Sequence, residues 1–264
     1  MTVDLDAYFE RIQWGGSTGP TFETLAGLLH AHTGRIPFEN LDVLLGRPIR
    51  LDLDGVQAKL VRARRGGYCF EHATLFAAVL EKIGFQPVPH AGRVVLFDPL
   101  AKSPRTHMFL TLQIEGGRFV VDPGFGPFGS RVPVPLQDGK RDGASHWLVR
   151  DGDLWTLRLR RDGSVISGWV TTLEQENPVD FVVANHFIAT HPDSPFVSRI
   201  MLSAATPEGR VSIMNRDVTI HRGGETTSKR LSDRATLRGL LIDHFGFDLP
   251  DVEHLTVPTI PEWH

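Results

Sequence analysis

Apolar residues recur with a helical period over roughly the first third of the chain. Leu75, Val79 and Ile83 share one spacing, so they form an apolar stripe on a helix that ends near Gly84. Similar patterns predict three earlier helices. Their predicted N-caps are, in chain order, Asp4, Thr21 and Asp54. Two prolines interrupt residues 36–48, which we interpret as a packed loop with a short helical turn.

The apolar period changes to two from about residue 88 to residue 175, which is typical of β-strands. The predicted strands cover 93–97, 107–114, 118–122, 146–150, 154–160 and 165–171. Glu115-Gly116-Gly117 separates the second strand from the third, and Asp-Gly pairs separate the last three, as in β-hairpins. We therefore expect a small antiparallel barrel or a strongly bent sheet.

The last third of the chain mixes helix and strand patterns. Asn177-Pro178 opens a predicted helix that closes at His191-Pro192. A predicted hairpin over about 200–220 turns at Pro207-Glu208-Gly209, and Asp233 caps a final helix. The chain as a whole is predicted to be an α+β fold. Its three predicted domains cover residues 1–84, 85–176 and 177–264.

Composition places the chain among ordinary soluble globular proteins. It has 264 residues, of which 41% are hydrophobic and 22% charged, and a net charge of −3 gives no footprint for nucleic acid. No apolar run approaches the length of a membrane span, and the acidic first residues do not match a signal peptide. A single cysteine excludes an internal disulfide and a multi-cysteine zinc site. We expect a cytoplasmic protein with neither nucleic-acid nor membrane partners.

The only cysteine, Cys69, lies where the fourth predicted helix begins. Unpaired backbone N–H groups and the positive end of the helix dipole favour a thiolate at such a position. Arg64 and Arg65 add positive charge nearby, and Gly66-Gly67 lets the backbone turn sharply. The pattern indicates a nucleophilic thiol. The alternative is a buried structural cysteine, the usual fate of a free thiol.

Histidine spacing does not indicate a metal site. His30-Ala31-His32 places its two rings away from a common helical face, and no His-Glu-x-x-His motif occurs. His72 follows Cys69 on the same helix, and we interpret it as a polar helix residue. We therefore predict no bound metal.

The predicted hairpin brings a histidine and an aspartate together. With Glu115-Gly116 as a two-residue turn, we expect His107 to lie directly across from Asp122 on the more polar face. A turn at Gly116-Gly117 keeps both residues on one face, four positions apart, whereas a three-residue loop puts them on opposite faces. An imidazole so placed takes the thiol proton, and a carboxylate fixes its tautomer. Cys69, His107 and Asp122 are therefore a candidate catalytic triad in the chain order of papain-like enzymes, whose third member is asparagine.

Each partner also has a simpler interpretation. His107 fits a strand histidine on a half-exposed face, and Asp122 fits a turn aspartate before Pro123-Gly124. The separations in sequence from Cys69 to both residues are far shorter than in papain. The combination of all three residues, with matching strand parity, favours a catalytic site.

A glycine-rich loop follows Asp122. Its glycines are Gly124, Gly126 and Gly129. They match G-x-G-x-x-G formally, but no helix opens after the loop, so it is not a dinucleotide fingerprint. Its N–H groups suit a phosphate or an acyl carrier, and Phe125 and Phe128 suit an aromatic slot. The alternatives are a tight barrel connection and two core rings.

Five segments of the chain resemble the arylamine N-acetyltransferases. Arg65-Gly66-Gly67-Tyr68-Cys69-Phe70-Glu71 resembles the family's cysteine motif, and Ile36-Pro37-Phe38-Glu39-Asn40-Leu41-Asp42 resembles its second signature. Thr106-His107-Met108 and residues 121–126 resemble its histidine and aspartate segments. Residues 191–196 resemble the segment that enters its third domain. The five run in order over almost the whole chain.

The resemblance implies a helical bundle, a β-barrel and an α/β lid around a papain-like cysteine core. It implies transfer of acetyl from acetyl-coenzyme A to an arylamine, arylhydrazine or N-arylhydroxylamine, by a ping-pong reaction through acetyl-Cys69. His107 is then the proton acceptor and Asp122 orients it. By similarity, Phe38 and Phe125 line the acceptor site. The residues that border the coenzyme A cleft are Gly124, Gly126, Phe128 and Gly129.

The chain departs from the family pattern at two places. His72-Ala73 stands where relatives often carry Gln or Leu and then Asn, and small residues over 203–205 stand where some carry an acceptor-contacting aromatic. Three other functions stay open: an amide synthase of the same fold in macrolactam biosynthesis, a cysteine hydrolase, and a non-catalytic binding protein. The sequence does not indicate the oligomeric state.

Overall fold

The computed structural model describes residues 2–161, 163–207 and 209–263. Seven α-helices lie within these ranges. In chain order they are α1 (Leu5–Ile12), α2 (Phe22–Arg35), α3 (Leu41–Leu44), α4 (Leu53–Val56), α5 (Cys69–Ile83), α6 (Pro178–Thr190) and α7 (Arg234–Leu240). The first five belong to the N-terminal segment, which is helical as predicted.

The helices α1, α2 and α5 bury one apolar core between them. Leu28, Phe76 and Val79 are fully buried there. Asp4 caps α1 and Thr21 caps α2, as predicted, because each side chain accepts a hydrogen bond from a backbone N–H in the first turn. Leu110 and Val121 from two strands also join this core, so the bundle packs directly on the neighbouring sheet.

The third predicted helix begins earlier than expected. Asp52, not Asp54, is its N-cap, since Asp52 is extended and its Oδ1 accepts from Gly55 N at 3.0 Å. The helix α4 then widens into a π-helical turn over Gln57–Arg62. This turn brings Lys59 beneath the start of α5, where it binds Glu71.

Seven antiparallel strands form the central sheet. They are β1 (Val88–Val94), β2 (Arg105–Ile114), β3 (Gly117–Val121), β4 (Val134–Pro135), β5 (His146–Asp151), β6 (Leu154–Arg161) and β7 (Ser164–Thr171), in the order β4-β3-β2-β1-β7-β6-β5. Asp138, after β4, bridges Leu148 of β5, so the sheet nearly closes into the predicted barrel. Phe109, Leu157 and Trp169 fill its interior.

Two predictions for this sheet are wrong in detail. The first strand covers Val88–Val94 rather than 93–97. Its own apolar pattern is irregular, and it is a strand because its residues pair with β2 from Val88↔Thr111 onward. The hairpin pairing is displaced by two positions. The turn is at Glu115-Gly116, as predicted, with φ of 49° and 78°. Across it Ile114 pairs with Gly117, which is two positions away from the register that would set His107 opposite Asp122.

His107 therefore does not lie directly across from Asp122. The β2–β3 pairing ends at Leu110↔Val121, beyond which neither residue has a partner in this ladder. A displacement by two positions keeps the parity, so the two residues still share a face. That face is the buried barrel interior and not the more polar surface that we expected, because Thr111 and Val120 on it are buried.

The C-terminal segment combines α6 and α7 with a second antiparallel sheet. Its strands are β8 (Met201–Thr206), β9 (Gly209–Met214), β10 (Asp217–Arg222) and β11 (Glu225–Arg230), in sequential order. The predicted hairpin is the first pair, and Glu208 of its turn lies outside the described residues. The sequence missed β11 because all of its residues are exposed, so no apolar alternation marks it.

The second sheet is attached to the bundle beside α5. Phe38 N donates to Ser203 O at 2.8 Å, and Ser203 N donates back to Phe38 O at 2.9 Å. Phe38 also pairs with Gly67, just before α5. The predicted α+β fold is thus confirmed, while the exact domain boundaries stay a prediction. Within the described ranges, no helix has the length and apolar character that crossing a bilayer requires.

Candidate active site

The helix α5 begins at Cys69, as predicted, and its first turn is held by an acidic side chain. Tyr68 N donates to Glu71 Oε2 at 3.0 Å, and Lys59 Nζ donates to Glu71 Oε1 at 2.8 Å. The thiol itself is buried. The Lys59–Glu71 ion pair therefore fixes the backbone next to Cys69.

The positive charge of Arg65 does not act on the thiol as the sequence suggested. Arg65 Nη2 lies 2.7 Å from Glu39 Oε1, and Arg65 Nη1 lies 3.0 Å from Asp42 Oδ1. Both carboxylates are buried, and Asp42 also binds Lys59. Two carboxylates thus balance the charge of Arg65. Through them Arg65 links residues 36–42 to the loop that precedes Cys69.

A β-bulge lies directly before His107 in β2. Gly92 pairs with His107, but Arg93 pairs with Arg105, so Thr106 is an extra residue in β2. The carbonyl oxygen of Thr106 accepts a hydrogen bond from the Cys69 thiol, with 3.7 Å between the oxygen and Sγ. The residue before His107 therefore contacts the thiol at the N-terminus of α5.

His107 and Asp122 form a buried hydrogen-bonded pair. The distance from His107 Nε2 to Asp122 Oδ2 is 2.8 Å, which leaves Nδ1 as the ring nitrogen available to the Cys69 thiol. Burial alone lowers the pKa of His107, but the Asp122 carboxylate and Cys69 outweigh it and raise this pKa to about 10. A pKa raised in this way favours the imidazolium.

Two further groups hold the Asp122 carboxylate. Trp169 Nε1 donates to Asp122 Oδ2 at 2.9 Å, and Gly124 N donates to Oδ1 at 3.3 Å. Trp169 was missed in the sequence because β7 pairs with β1, a distant strand, and nothing in the local pattern reveals that neighbour. Its only sequence signal is a tryptophan in an alternating strand.

The glycine-rich loop packs against Cys69. A Cβ on Gly124 would lie 2.5 Å from the Cα of Cys69, so only glycine allows this approach. Gly126 has a φ of +56° and lies against the Phe38 ring. Gly124 thus lies against the backbone of Cys69, and its place along the coenzyme A cleft stays a prediction.

A cavity of about 220 Å³ extends from Asp122 toward the second sheet. Its lining includes Phe38, Phe125, Gly126, Gly129, Ser203 and Ala205. Phe125 is both a core ring and a cavity wall, since it lies 4.8 Å from the His107 ring by centroid distance. The structure thus gathers Phe38, Phe125, Gly126 and Gly129 around one space.

Phe128 lies outside this group, where it packs against Phe125 and beneath the guanidinium of Arg161, 4.5 Å from its ring centroid. Two other cations do reach the cavity. Arg131 and Arg210 line it, and Arg210 Nη1 donates to Pro127 O at 2.8 Å. The glycine-rich loop is therefore bordered by positive charge.

His72 lies on α5, as predicted, and its polar ring is inside the bundle. It is fully buried, and its Nδ1 lies 2.8 Å from His32 Nε2, while His32 Nδ1 lies 2.9 Å from the Tyr8 hydroxyl. His72 Nε2 donates to Pro37 O at 3.2 Å. One tautomer of each neutral ring satisfies every bond in this chain. This series of hydrogen bonds therefore links Pro37, the residue before Phe38, to the helical bundle.

Within the described residues, no three side chains of His, Cys, Asp or Glu are grouped as a metal site requires. The chemistry that the arrangement offers is that of a thiol, a base and an orienting carboxylate.

The chain is similar to known proteins over most of its length. A family model described as N-acetyltransferase matches residues 21–254. The arylamine N-acetyltransferase of Mycobacterium bovis is 38% identical over 266 residues, which cover 96% of this chain and 92% of that protein. The arylamine N-acetyltransferase of Escherichia coli K12 is 36% identical over 259 residues, with the same coverage.

Solved structures give the same result. The arylamine N-acetyltransferase of M. tuberculosis superposes with a TM-score of 0.89 at 35% identity, covering 94% of this chain and 96% of that one. The Mycobacterium marinum arylamine N-acetyltransferase in complex with CoA gives 0.88 at 35% identity, with 94% of each chain covered. With its sole cysteine at the start of α5 facing a buried His–Asp pair, the chain belongs to the arylamine N-acetyltransferase family.

Proposed function

We propose that this protein transfers an acetyl group from acetyl-coenzyme A to the nitrogen of an aromatic amine or hydrazine, or to the oxygen of an N-arylhydroxylamine. The proposal rests above all on one observation, the buried His107–Asp122 pair beside the only cysteine. Relatives with the same fold are named for this activity, one of them also for N-hydroxyarylamine O-acetylation.

The reaction has two halves. In the first, Cys69 Sγ bonds to the acetyl carbon, the bond from that carbon to the coenzyme A sulfur breaks, and the proton from the thiol leaves with coenzyme A through His107. In the second, the acceptor nitrogen attacks acetyl-Cys69, its proton passes to His107, and the thiolate is released. Asp122 keeps the imidazole in the tautomer that both transfers need.

The cavity suits a small aromatic acceptor. A cavity of about 150 Å³ holds benzene, so about 220 Å³ accommodates one substituted ring. Phe38 and Phe125 offer ring faces to it. Gly126 and Gly129 border the same space, and Arg131 and Arg210 supply positive charge that fits the phosphates of coenzyme A. Phe128 and Gly124 shape this loop from behind.

The test is intact-protein mass spectrometry after mixing with acetyl-coenzyme A and no acceptor. We expect one added acetyl group, which disappears when an arylamine is added. The matched control is Cys69→Ser, which keeps the size of the side chain and removes the thiol. An adduct in that variant that peptide mapping locates away from residue 69 would remove Cys69 from the mechanism. No adduct in the wild type, together with hydrolysis of simple esters, would indicate the hydrolase instead.

A further inference from the structure

The Asp122 carboxylate has an uneven set of donors. Its Oδ2 accepts both His107 Nε2 at 2.8 Å and Trp169 Nε1 at 2.9 Å, while its Oδ1 accepts only the longer bond from Gly124 N at 3.3 Å. The oxygen that faces the base is therefore also the oxygen that the indole holds. An orienting carboxylate depends on such bonds, because its own torsion is otherwise broad.

Trp169 is itself rigidly placed. It is fully buried on β7, and its ring stacks on Phe109 with centroids 4.3 Å apart and planes 13° apart. Phe109 also stacks beside His107, at 6.3 Å and 19°. The indole thus comes from a strand outside the β2–β3 hairpin, and it ties the carboxylate of the hairpin to the far side of the barrel.

An indole N–H is a donor only and does not titrate. It can therefore neither take the His107 proton nor compete for the thiol. It can fix where the carboxylate points and offset its burial. We propose that Trp169 is a positioning residue of the acyl-transfer site, whose indole N–H holds Asp122 in the orientation that binds His107. This inference rests on the proposed triad.

The test is a double-mutant cycle on the rate at which acetyl-coenzyme A acetylates Cys69. Trp169→Phe keeps an aromatic ring on Phe109 and removes the N–H. We expect the rate to fall about ten- to a hundredfold, the usual worth of a hydrogen bond to a charged group, with the acceptor KM unchanged. In an Asp122→Ala background the same substitution is expected to change the rate less than twofold, because Trp169 acts only through Asp122.

Controls separate positioning from packing. Trp147→Phe makes the same change at a buried position on β5 of the same sheet, and we expect it to leave the rate unchanged. Replacing Trp169 by benzothienylalanine keeps the ring size and removes only the N–H, so we expect the same fall as in Trp169→Phe. This replacement also serves if Trp169→Phe does not fold.

Three outcomes would overturn the inference: an equal fall in both backgrounds, a wild-type rate in Trp169→Phe, or a wild-type rate with the isosteric replacement. A wild-type rate in Asp122→Ala alone is a different failure, since it would remove the triad itself. The two results are therefore distinguishable in one set of measurements.

Discussion

The carbonyl oxygen of Thr106 lies 3.7 Å from the Cys69 sulfur, and Thr106 is the extra residue of a β-bulge. His107 keeps the regular alternation of Phe109 and Thr111 against β1, and the bulge lies just beyond it, where Arg93 pairs with Arg105. The bulge thus presents the Thr106 carbonyl to the thiol, at the point where the strand meets the start of α5.

Asp122→Asn tests the orienting role of the carboxylate. The amide can present its NH₂ to His107 Nε2 and favour the wrong tautomer, so we expect acetylation of Cys69 to fall by about three to four orders of magnitude. Loss of the negative charge also lowers the pKa of His107 from about 10. Single-turnover kinetics and a ¹⁵N titration of the imidazole measure the two effects.

The matched control is Asp151→Asn, an exposed aspartate at the end of β5, which we expect to leave both quantities unchanged. A near-wild-type rate in Asp122→Asn would mean that the His107–Asp122 bond has no part in the reaction.

Gly124→Ala tests the packing of the loop on the nucleophile. The new methyl group would meet the Cα of Cys69 at 2.5 Å, and backbone on both sides must move. We expect at least a tenfold fall in the acetylation rate and a loss of stability of about 1–3 kcal/mol. Gly239→Ala adds a methyl into open space on α7 and is expected to leave rate and melting temperature unchanged or slightly higher. Wild-type behaviour in Gly124→Ala contradicts the close approach.

The buried histidine chain predicts sensitivity to acid. Burial lowers the pKa of His72 to about 4, and that of His32 lies well below its usual value. Between about pH 6.5 and pH 4 the unfolded chain binds protons that the folded chain does not, so the free energy of unfolding falls as the pH drops through this window. His72 contributes up to about 3 kcal/mol of this loss.

Urea unfolding at a series of pH values measures the slope. His72→Gln keeps hydrogen-bonding groups without a titrating ring, so we expect a flatter slope, whereas His186→Gln on the exposed face of α6 is expected to keep the wild-type slope. Identical slopes in all three proteins would show that His72 is charged in the folded state or accessible to solvent.

Ala205→Phe tests the acceptor cavity. Ala205 lines its wall on β8, so a phenyl ring there reduces the space beside Phe38. We expect the KM of two-ring arylamines to rise about tenfold relative to that of one-ring arylamines. Val165→Phe, at an exposed position on β7, is the control for added bulk. An unchanged KM ratio in Ala205→Phe would place the acceptor elsewhere.

Local patterns predicted the elements that carry the candidate site. The start of α5 at Cys69 follows from an apolar stripe and a single cysteine, and the shared face of His107 and Asp122 follows from strand parity alone. Both features depend only on neighbours in sequence. The α+β class follows from the same change of period.

Features that depend on distant pairing were not predictable in this way. The bulge at Thr106 arises from the register of β2 against β1, and the bond from Trp169 arises where β7 meets β1. His72 is polar and lies on a helix, and only the approach of α2 makes it a buried partner of His32. Each contact is specified by tertiary packing, which a single-sequence pattern does not contain.

The order of these groups along the chain has a consequence for synthesis. The ribosome makes Cys69 before His107, Asp122 and Trp169, and the base is aimed only when β2 has paired with its neighbours. On the proposed mechanism, a nascent or truncated chain therefore has Cys69 without the base that takes its proton. Acylation of Cys69 by acetyl-coenzyme A then begins only when the barrel is complete.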